Sequence, residues 1–465
     1  MHYRPQLNLP YSNDDLEGIL ADALRVLARL GIACEDRGTV DRVTAAPGVT
    51  RDAGRLKFDP DVLREHVADV RQRNAALTDN EPDFEALPAW CCLNYADPET
   101  GEVRPPTTED TVQMTRLMDA RGCGDWSVPL VPADVDPRHA TLTGEYVAMK
   151  HSRRLGGFMP AMDPVEIELL IEMNQAVGRT YHLVEQVSIS PLRFNDLGLA
   201  SALRFAGRDD VQVTLTGAIP SVGSTTPFPV RSALVETVAE GLALSLTTAR
   251  LGLGQGGFGA GLQAFDFQYT TMPFGSPESM LYSAVSMQMS AFLNGRPSRF
   301  GGFRSMARRP DAQAAAERAA SVLWGALLGA RRFRGCGQLA LDEVFSPQQA
   351  IIDDDILAHV ARLIRGLDPL ASGGGDPVDQ IAEGLQMGTY LGQEATVRGY
   401  REFCHFPTLF HHWSVDQWRT RGEPAILAEA WDRAREQIAA CEFHLPADQE
   451  RALEQVYRRA LREVA

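Results

Sequence analysis

The sequence predicts an α/β protein built on a (β/α)8 barrel of the TIM type, with helical additions at both ends. The first observation is an alternation of short β-rich segments with long amphipathic segments, which forces parallel strand pairing through crossovers. The second is that this alternation runs without interruption for about 250 residues, the usual length of a barrel. A doubly wound sheet is the other architecture compatible with such alternation, and the continuity of the pattern favours the barrel.

Residues 1–90 form the predicted N-terminal helical extension. Leucine and other apolar residues recur at helical spacing between Leu16 and Leu30, and Gly31 ends that pattern. A second helix is predicted from Asp59, because an aspartate followed by Pro60 is typical of a helix N-terminus. The acidic and proline-rich stretch 79–88 reads as a linker to the following segment.

The barrel is predicted over residues 91–413. Its candidate strands are 127–132, 156–161, 186–191, 212–218, 251–258, 298–303 and 333–339. The candidate helices between and after them are 137–151, 163–178, 196–207, 229–250, 277–295, 311–329 and 353–365. An eighth strand is expected near 350–352 or near Leu93, and the run Asp353, Asp354, Asp355 is expected to cap the helix beginning at Ile356.

Residues 414–465 return to a helical pattern and form a C-terminal cap or part of an interface between copies of the chain. We expect a homo-oligomer. Lys and Arg number 45 against 61 Asp and Glu, giving a formal net charge of −16. Such an acidic surface repels phosphate backbones, so a nucleic-acid partner is not expected.

No segment of the sequence predicts export or a membrane span. The first ten residues lack a basic region followed by an apolar run, and the longest apolar tract, 241–253, is too short to cross a bilayer. The seven cysteines contain no CxxC pair, which favours reduced thiols that are mostly buried. We therefore expect a cytoplasmic protein without membrane contact.

Two motifs invite a ligand. The glycine-rich run 252–261 lacks the acidic residue expected of a dinucleotide site, so it is either a tight turn or a place where a ligand approaches the backbone. Cys404, His405, His411 and His412 lie within nine residues, but without a recognised metal-ligand spacing. Their interleaving with aromatic residues favours structural histidines, and no metal ligands are assigned.

Several short motifs in order along the chain resemble the trimethylamine methyltransferase family. They are YADPETG at 95–101, SISPLRF at 188–194, FDF at 265–267, GSPE at 275–278, PDAQA at 310–314, REF at 401–403, PTL at 407–409 and DQW at 416–418. The resemblance implies a barrel that binds a methylated amine and passes one methyl group to cob(I)alamin. That corrinoid cofactor is carried by a separate corrinoid protein, so none is expected to be tightly bound to this chain.

The resemblance also suggests the substrate. The position that matches the family's pyrrolysine is Arg304, and family members without pyrrolysine include glycine betaine demethylases. We therefore expect a quaternary amine or betaine as the small-molecule substrate, with Arg304 pairing with its carboxylate. Aromatic faces and one carboxylate suit a quaternary ammonium. The predicted substrate-binding residues are Trp126, Phe194, Phe258, Asp266, Phe267 and Arg304; no catalytic residue is assigned.

Two departures from the family pattern keep other functions open. Residues 306–308 read MAR where the family has Asp-Ala-Lys, and 393–396 read QEAT where it has His-Pro-His-Thr. The first alternative is a diverged barrel enzyme that does not use cobalamin, with or without a metal held by His405, His411 or nearby carboxylates. The second is a catalytically inactive barrel that binds a small molecule.

Overall fold

The computed structural model describes residues 5–77, 83–123, 128–157, 161–254, 257–367 and 375–464. Trp126 lies outside these ranges, as do parts of the predicted strands 127–132 and 156–161. Among the residues described, no helix combines the length and the apolar character needed to cross a membrane. All seven cysteines are free thiols, five of them buried.

The N-terminal segment contains both helices and strands. Its elements are α1 (Asn13–Arg29), β1 (Ile32–Ala33), α2 (Arg37–Thr44), β2 (Val49–Asp52), β3 (Arg55–Phe58) and α3 (Pro60–Ala75). The predicted helices α1 and α3 are confirmed, and Ser12 and Asp59 cap them through their side chains. The prediction that this segment contains only helices was wrong, because it also contains β1 to β3, and β1 pairs in parallel with β8 of the central segment.

The central segment alternates strands and helices. It comprises β4 (Glu85–Pro88), β5 (Asn94–Ala96), β6 (Val103–Arg104), α4 (Thr108–Ala120), α5 (Ala140–His151), α6 (Pro164–Ala176), β7 (Tyr181–Ile189), β8 (Arg193–Phe194), α7 (Asp196–Phe205), β9 (Val211–Gly217), α8 (Val230–Arg250), α9 (Pro277–Asn294), β10 (Phe300–Gly302), α10 (Ala312–Leu327), β11 (Arg332–Cys336), β12 (Gln338–Leu339), β13 (Val344–Phe345) and α11 (Pro347–Arg365). The C-terminal helices are α12 (Pro377–Met387), α13 (Glu394–Phe403), α14 (Val415–Thr420), α15 (Ile426–Ala439) and α16 (Ala447–Glu463).

The strands form three small sheets with much parallel pairing. Their orders are β2-β3-β1-β8-β7-β9, β10-β11-β4 and β12-β13-β5-β6. The pairs β7–β9, β10–β11, β11–β4 and β13–β5 are parallel, and so are the isolated bridges Cys92–Leu130 and Ser221–Gln263. Within the described ranges the sheets do not close into a ring. The structure therefore shows a mixed α/β fold with parallel strands.

Two strand predictions need correction. The described part of 251–258 is a turn and irregular chain, and the parallel bridge in this region forms at Gln263 instead. Glycine-rich chain loses more entropy on becoming a strand than other sequences do, which is why it connects elements here. Residues 350–352 belong to helix α11, whereas the alternative eighth strand near Leu93 is present as β5.

The aspartate triplet lies inside a helix and not at its start. Helix α11 begins at Pro347 and its N-cap is Ser346, whose hydroxyl accepts from the Gln349 amide. The three carboxylates consequently point in different directions, since successive helix residues are rotated by about 100°. Asp353 meets Arg318, Asp354 meets Arg121, and Asp355 accepts from the backbone of 408–410.

Two large apolar clusters hold the fold together. The first joins α1 and α3 to α6, α8 and α9, and also takes in Leu453 and Ala460 of α16. The second joins α4, α10, α11 and α15 around Phe333 and Phe345. Helices α15 and α16 thus pack on the body of the protein, while α12 has one buried residue, Gly384, and α13 has none. Whether 1–90, 91–413 and 414–465 are separate domains stays a prediction.

Candidate functional site

A cavity of 260 Å³ lies where β10 and β11 meet helices α9 and α10. Its strand side is formed by Phe300, Gly301, Gly302 and Arg334, and its helix side includes Met280, Met287 and Trp324. Arg304, two residues beyond β10, also lines it. Apolar side chains with a few polar groups are the usual lining of a site for a small organic ligand.

Arg304 brings an unpaired cation to this cavity. Its backbone amide donates to Ser321 Oγ at 3.1 Å, which fixes the main chain, and its guanidinium lies 4.9 Å from the centre of the Phe274 ring. Across the described ranges, the Arg304 guanidinium has no hydrogen bond and no ion pair. A half-buried cation without an ion-pair partner is unfavourable, so an anionic ligand at this position is favourable.

The electrostatic surroundings of Arg304 support the same conclusion. Burial is the main cause of the lowered pKa of the Arg304 guanidinium; Asp342 raises this pKa, and the cations Arg318 and Arg334 each lower it by less. An arginine stays protonated even so, because a guanidinium is too weak an acid to lose its proton near neutral pH. The consequence is a positive potential in the cavity that a carboxylate would relieve.

Two further polar atoms around the cavity have no partner. Gln263 Oε1 and Trp324 Nε1 are both buried, and neither has a hydrogen-bond partner among the described residues. A buried donor or acceptor left unpaired costs about 1–3 kcal/mol. Native proteins keep few such atoms, and these two belong to side chains that line the same cavity as Arg304.

The two glycines of β10 allow the close packing around Arg304. A Cβ atom at Gly302 would lie 2.6 Å from Arg304 Nε, so any side chain there would displace the guanidinium. A Cβ atom at Gly301 would lie 2.7 Å from the Phe333 ring, on the side where β10 packs against α10. The glycines thus determine both the position of Arg304 and the closeness of the helix.

The other predicted site residues lie in different surroundings. Phe194 and Phe258 belong to the first apolar cluster, with exposures of 2% and 5%. The Asp266 carboxylate accepts from the amides of Gln268 and Tyr269 at 2.7 and 2.9 Å and so stabilises its own turn. The structure does not bring these three side chains to the cavity beside Arg304.

Phe267 lies on an exposed aromatic rim. Its side chain is 60% exposed, and its ring centre lies 6.4 Å from that of Phe228 and 5.2 Å from that of Phe265. Tyr269, two residues further, is 68% exposed. Exposed aromatic rings in a group are unusual on a monomer surface and indicate a contact with a ligand or partner.

The glycine-rich run packs on helix α8. A Cβ atom at Gly241 of α8 would lie 2.6 Å from the Gly259 carbonyl oxygen, so the helix needs a glycine where this chain crosses it. Gly257, Gly259 and Gly261 also line a second cavity of 290 Å³, together with Glu240. Close packing against α8 thus explains the glycines without a ligand. The alternative, that a ligand approaches the backbone here, stays open because the glycines also line a cavity.

The histidine cluster is dispersed in the structure. His411 Nε2 lies 2.7 Å from Glu429 Oε2, and the His411 ring stacks on Trp413 at 3.7 Å between centres. His405 instead faces His359, with 5.9 Å between ring centres. Among the residues that the structure describes, no group of three or more His, Cys, Asp or Glu is placed to hold a metal ion.

Comparison with known proteins identifies the family. A sequence model described as trimethylamine methyltransferase matches residues 3–464. The chain belongs to the trimethylamine methyltransferase family, which confirms the resemblance seen in the motifs.

Individual relatives are more distant. A trimethylamine methyltransferase of Methanosarcina thermophila is 38% identical over 110 residues, which is 24% of this chain and 23% of that protein. The chain thus matches only about a quarter of the length of that relative. One of Desulfitobacterium hafniense is 23% identical over 453 residues, covering 91% of this chain and 88% of that protein. The solved structure of Methanosarcina barkeri monomethylamine methyltransferase aligns with a TM-score of 0.48 at 12% identity, over 94% of this chain and 89% of that one.

Sequence reasoning did not find Gln263, Phe274 or Trp324. Gln263 follows the glycine-rich run, and the sequence around it is typical of a loop and not of a strand. Trp324 lies on the amphipathic helix α10, where a tryptophan is more often a core residue. A usable signal was the small residues Ser321 and Gly325, which are one turn apart on α10 and line the same cavity as Trp324.

Proposed function

We propose that this protein is a methyltransferase that moves a methyl group from a betaine, a quaternary amine bearing a carboxylate, to the cobalt of a corrinoid carried by a partner protein. Membership of the trimethylamine methyltransferase family supports methyl transfer from an amine. The observation that carries the betaine assignment is the unpaired guanidinium of Arg304 in a cavity of small-molecule size.

In this proposal Arg304 anchors the substrate by its carboxylate. A guanidinium binds a carboxylate through two parallel hydrogen bonds, which fixes the direction of the rest of the molecule. The quaternary ammonium then lies against the wall formed by Met280, Met287 and Trp324. Aromatic rings and thioether groups bind N-methyl groups well because the rings and the sulfur are polarisable. They also exclude water from around the cation.

The corrinoid stays outside the cavity. When bound, its reduced cobalt supplies the nucleophile that accepts the methyl group. A space of 260 Å³ suits a small amine and leaves no room for a macrocycle. The exposed rings of Phe228, Phe267 and Tyr269 offer flat apolar faces for a macrocycle presented by a partner. The chain's own contribution is to orient the substrate and exclude water from it.

We also propose that the fold is a complete (β/α)8 barrel and that the protein acts in the cytoplasm. The barrel is supported by the parallel pairs β7–β9, β10–β11 and β11–β4. The isolated parallel bridges Cys92–Leu130 and Ser221–Gln263 add two further places where neighbouring segments run in the same direction, as the strands of a barrel do. In such a barrel the residues after each strand surround one site, which is where Arg304 lies relative to β10.

The test is methyl transfer to chemically reduced cobalamin, followed by the visible spectrum, with and without a purified corrinoid protein. The substrates are glycine betaine and longer betaines, with tetramethylammonium and trimethylamine as matched compounds that lack the carboxylate. We expect methylcobalamin to form with a betaine at a rate at least tenfold above that with tetramethylammonium. Stabilisation by betaines without methyl transfer would instead identify a binding protein, and transfer from trimethylamine alone would overturn the carboxylate assignment.

A further inference from the structure

Three serines that line the Arg304 cavity have hydrogen-bond partners within the protein. The hydroxyls of Ser279 and Ser283 donate to backbone carbonyls nearby in the chain, at 2.9 and 2.7 Å. Ser321 Oγ donates to a carbonyl of its own helix at 3.0 Å and accepts from the Arg304 amide at 3.1 Å. Each of these hydroxyl hydrogens already has an acceptor, so the serines do not need a ligand to complete their hydrogen bonding.

Gln263 and Trp324 line the same cavity and are held there by a fixed backbone. The Gln263 amide donates to the Pro220 carbonyl and its carbonyl accepts from the Val222 amide, both at 2.9 Å. Trp324 lies on α10, three residues after Ser321. In the described part of the chain, Gln263 Oε1 and Trp324 Nε1 are buried and have no hydrogen-bond partner. An unpaired acceptor and an unpaired donor thus belong to a preformed wall of the cavity.

The two ends of a simple betaine do not satisfy both of these atoms. Gln263 Oε1 accepts hydrogen bonds and Trp324 Nε1 only donates them. An ionised carboxylate only accepts, and a quaternary ammonium has no N–H, so neither end supplies the hydrogen that Gln263 Oε1 lacks. A hydroxyl group does both, because its O–H donates and its oxygen accepts. A ligand with a hydroxyl group at this position removes the unfavourable burial of two unpaired atoms.

We propose that Gln263 and Trp324 select a hydroxylated betaine, in which a hydroxyl group lies on the carbon chain between the carboxylate and the quaternary ammonium. This inference rests on the proposed function, which places the carboxylate at Arg304 and the ammonium against the Trp324 ring. The hydroxyl donates to Gln263 Oε1 and accepts from Trp324 Nε1. Since Nε1 is on the edge of the ring whose face contacts the ammonium, the hydroxyl lies a few bonds from the nitrogen.

The experiment is isothermal titration calorimetry on the full chain with two betaines of equal length, γ-trimethylammoniobutyrate and its β-hydroxy derivative. We expect the hydroxylated compound to bind about tenfold more tightly, since a site built to pair with a hydroxyl rejects the analogue that lacks it. Gln263→Met keeps the length of the side chain and removes the acceptor. It should weaken binding of the hydroxylated compound alone and reduce the preference below about threefold.

Trp324→Phe is the second variant, because it keeps an aromatic ring and removes the N–H. It should also reduce the preference for the hydroxylated compound. The matched control is Gln437→Met, since Gln437 Oε1 is likewise buried without a partner among the described residues but lines a different cavity. This control should leave the preference unchanged, and circular dichroism checks that every variant is folded.

Several results would overturn the proposal. They are equal binding of the two betaines by the wild-type chain, binding of neither, and a preference that both cavity variants keep. An equal loss for both betaines in Gln263→Met would place Gln263 at the carboxylate instead. A third compound, γ-dimethylaminobutyrate, carries one N–H when protonated. If it binds most tightly and Gln263→Met removes that advantage, the partner of Gln263 is an ammonium N–H and not a hydroxyl.

The calorimetric readout needs neither methyl transfer nor a corrinoid protein. A hydroxyl preference that depends on Gln263, without any methyl transfer, would support this inference while the proposed function fails. Methyl transfer from both betaines with equal affinities would support the proposed function while this inference fails. The two failures are therefore distinguishable.

Discussion

Arg318 and Asp353 form an ion pair that is completely shielded from solvent. Arg318 Nε lies 2.7 Å from Asp353 Oδ1, and both side chains have an exposure of 0%. Arg318 also donates to the Gly335 carbonyl, while Asp353 accepts from the Gly337 amide and from Gln349 Nε2. The pair thus joins α10 and α11 to the end of β11, and β11 also carries Arg334, which lines the candidate site.

Removing one charge of this pair should strongly destabilise the protein. We expect Asp353→Asn to lower the free energy of unfolding by about 3–5 kcal/mol, because it leaves the Arg318 cation buried without a counter-charge. Urea unfolding followed by circular dichroism measures this. The control is Glu394→Gln, which breaks the exposed pair with Arg398 and should cost less than about 1 kcal/mol. Similar losses for the two variants would contradict the prediction.

Asp355 should attach the segment 408–410 to helix α11 in a pH-dependent way. Burial alone would raise the pKa of Asp355, but hydrogen bonds from the Thr408 hydroxyl and from three backbone amides outweigh it and lower the pKa. A carboxyl group whose pKa is lower in the folded than in the unfolded state stabilises the fold at any pH above its unfolded-state pKa. That stabilisation is lost as the pH falls through the pKa of the folded state. We therefore expect Asp355→Ala to speed proteolysis near 403–413 at neutral pH, with Asp416→Ala as the exposed control. Unchanged cleavage would show that other contacts hold the segment.

Glu236 should make stability decrease as the pH rises. Burial and the neighbouring Glu240 raise the pKa of Glu236 to about 7, and its Oε1 has no hydrogen-bond partner among the described residues. The folded state therefore holds a proton that the unfolded chain releases near its ordinary value, so stability falls between about pH 4.5 and 7. Glu236→Gln should reduce the drop in melting temperature between pH 5 and pH 8. The exposed Glu65→Gln should leave that drop unchanged, and equal behaviour of both variants would refute the assignment.

Arg304 should discriminate between substrates with and without a carboxylate. We expect Arg304→Met to lower kcat/KM for a betaine by about 10- to 100-fold, the loss typical of a hydrogen bond to a charged group. Transfer from tetramethylammonium should change by less than about threefold. The control is Arg308→Met, at an exposed position outside the cavity. An equal loss for both substrates would assign a structural role to Arg304 and contradict carboxylate binding.

Gly302 should act through Arg304. In Gly302→Ala the new methyl group would lie 2.6 Å from Arg304 Nε and displace the guanidinium, so betaine discrimination should fall as in Arg304→Met. Combining the two substitutions should add little, because both remove the same contact. Gly399→Ala is the matched control, since a Cβ atom there meets nothing within 4 Å. Additive losses in the double variant would place the effect of Gly302 elsewhere.

The amino-acid pattern alone determined much of the secondary structure. Helices such as α1 and α3 were predictable because apolar residues recur in them with the helical period and capping residues, Ser12 and Asp59, precede them. Strands β9, β10 and β11 were predictable as β-rich runs between helices. The short strands β1 to β3 were not predicted, because two to four residues are too few to show the alternation of a strand. They are strands only because they pair with other segments, as β1 does with β8.

The site shows the same division. The motifs in their order determined the family, and the position of Arg304 among them pointed to a carboxylate before any geometry was known. Phe194 and Phe258 were indistinguishable from ligand-binding aromatics in the sequence, because the same side chains also fill cores, and only packing places them there. Likewise, only the tertiary structure decides that Arg304, Gln263 and Trp324 surround one cavity with polar atoms unpaired. Whether a polar atom has a partner depends on residues far away in the chain, which no local pattern records.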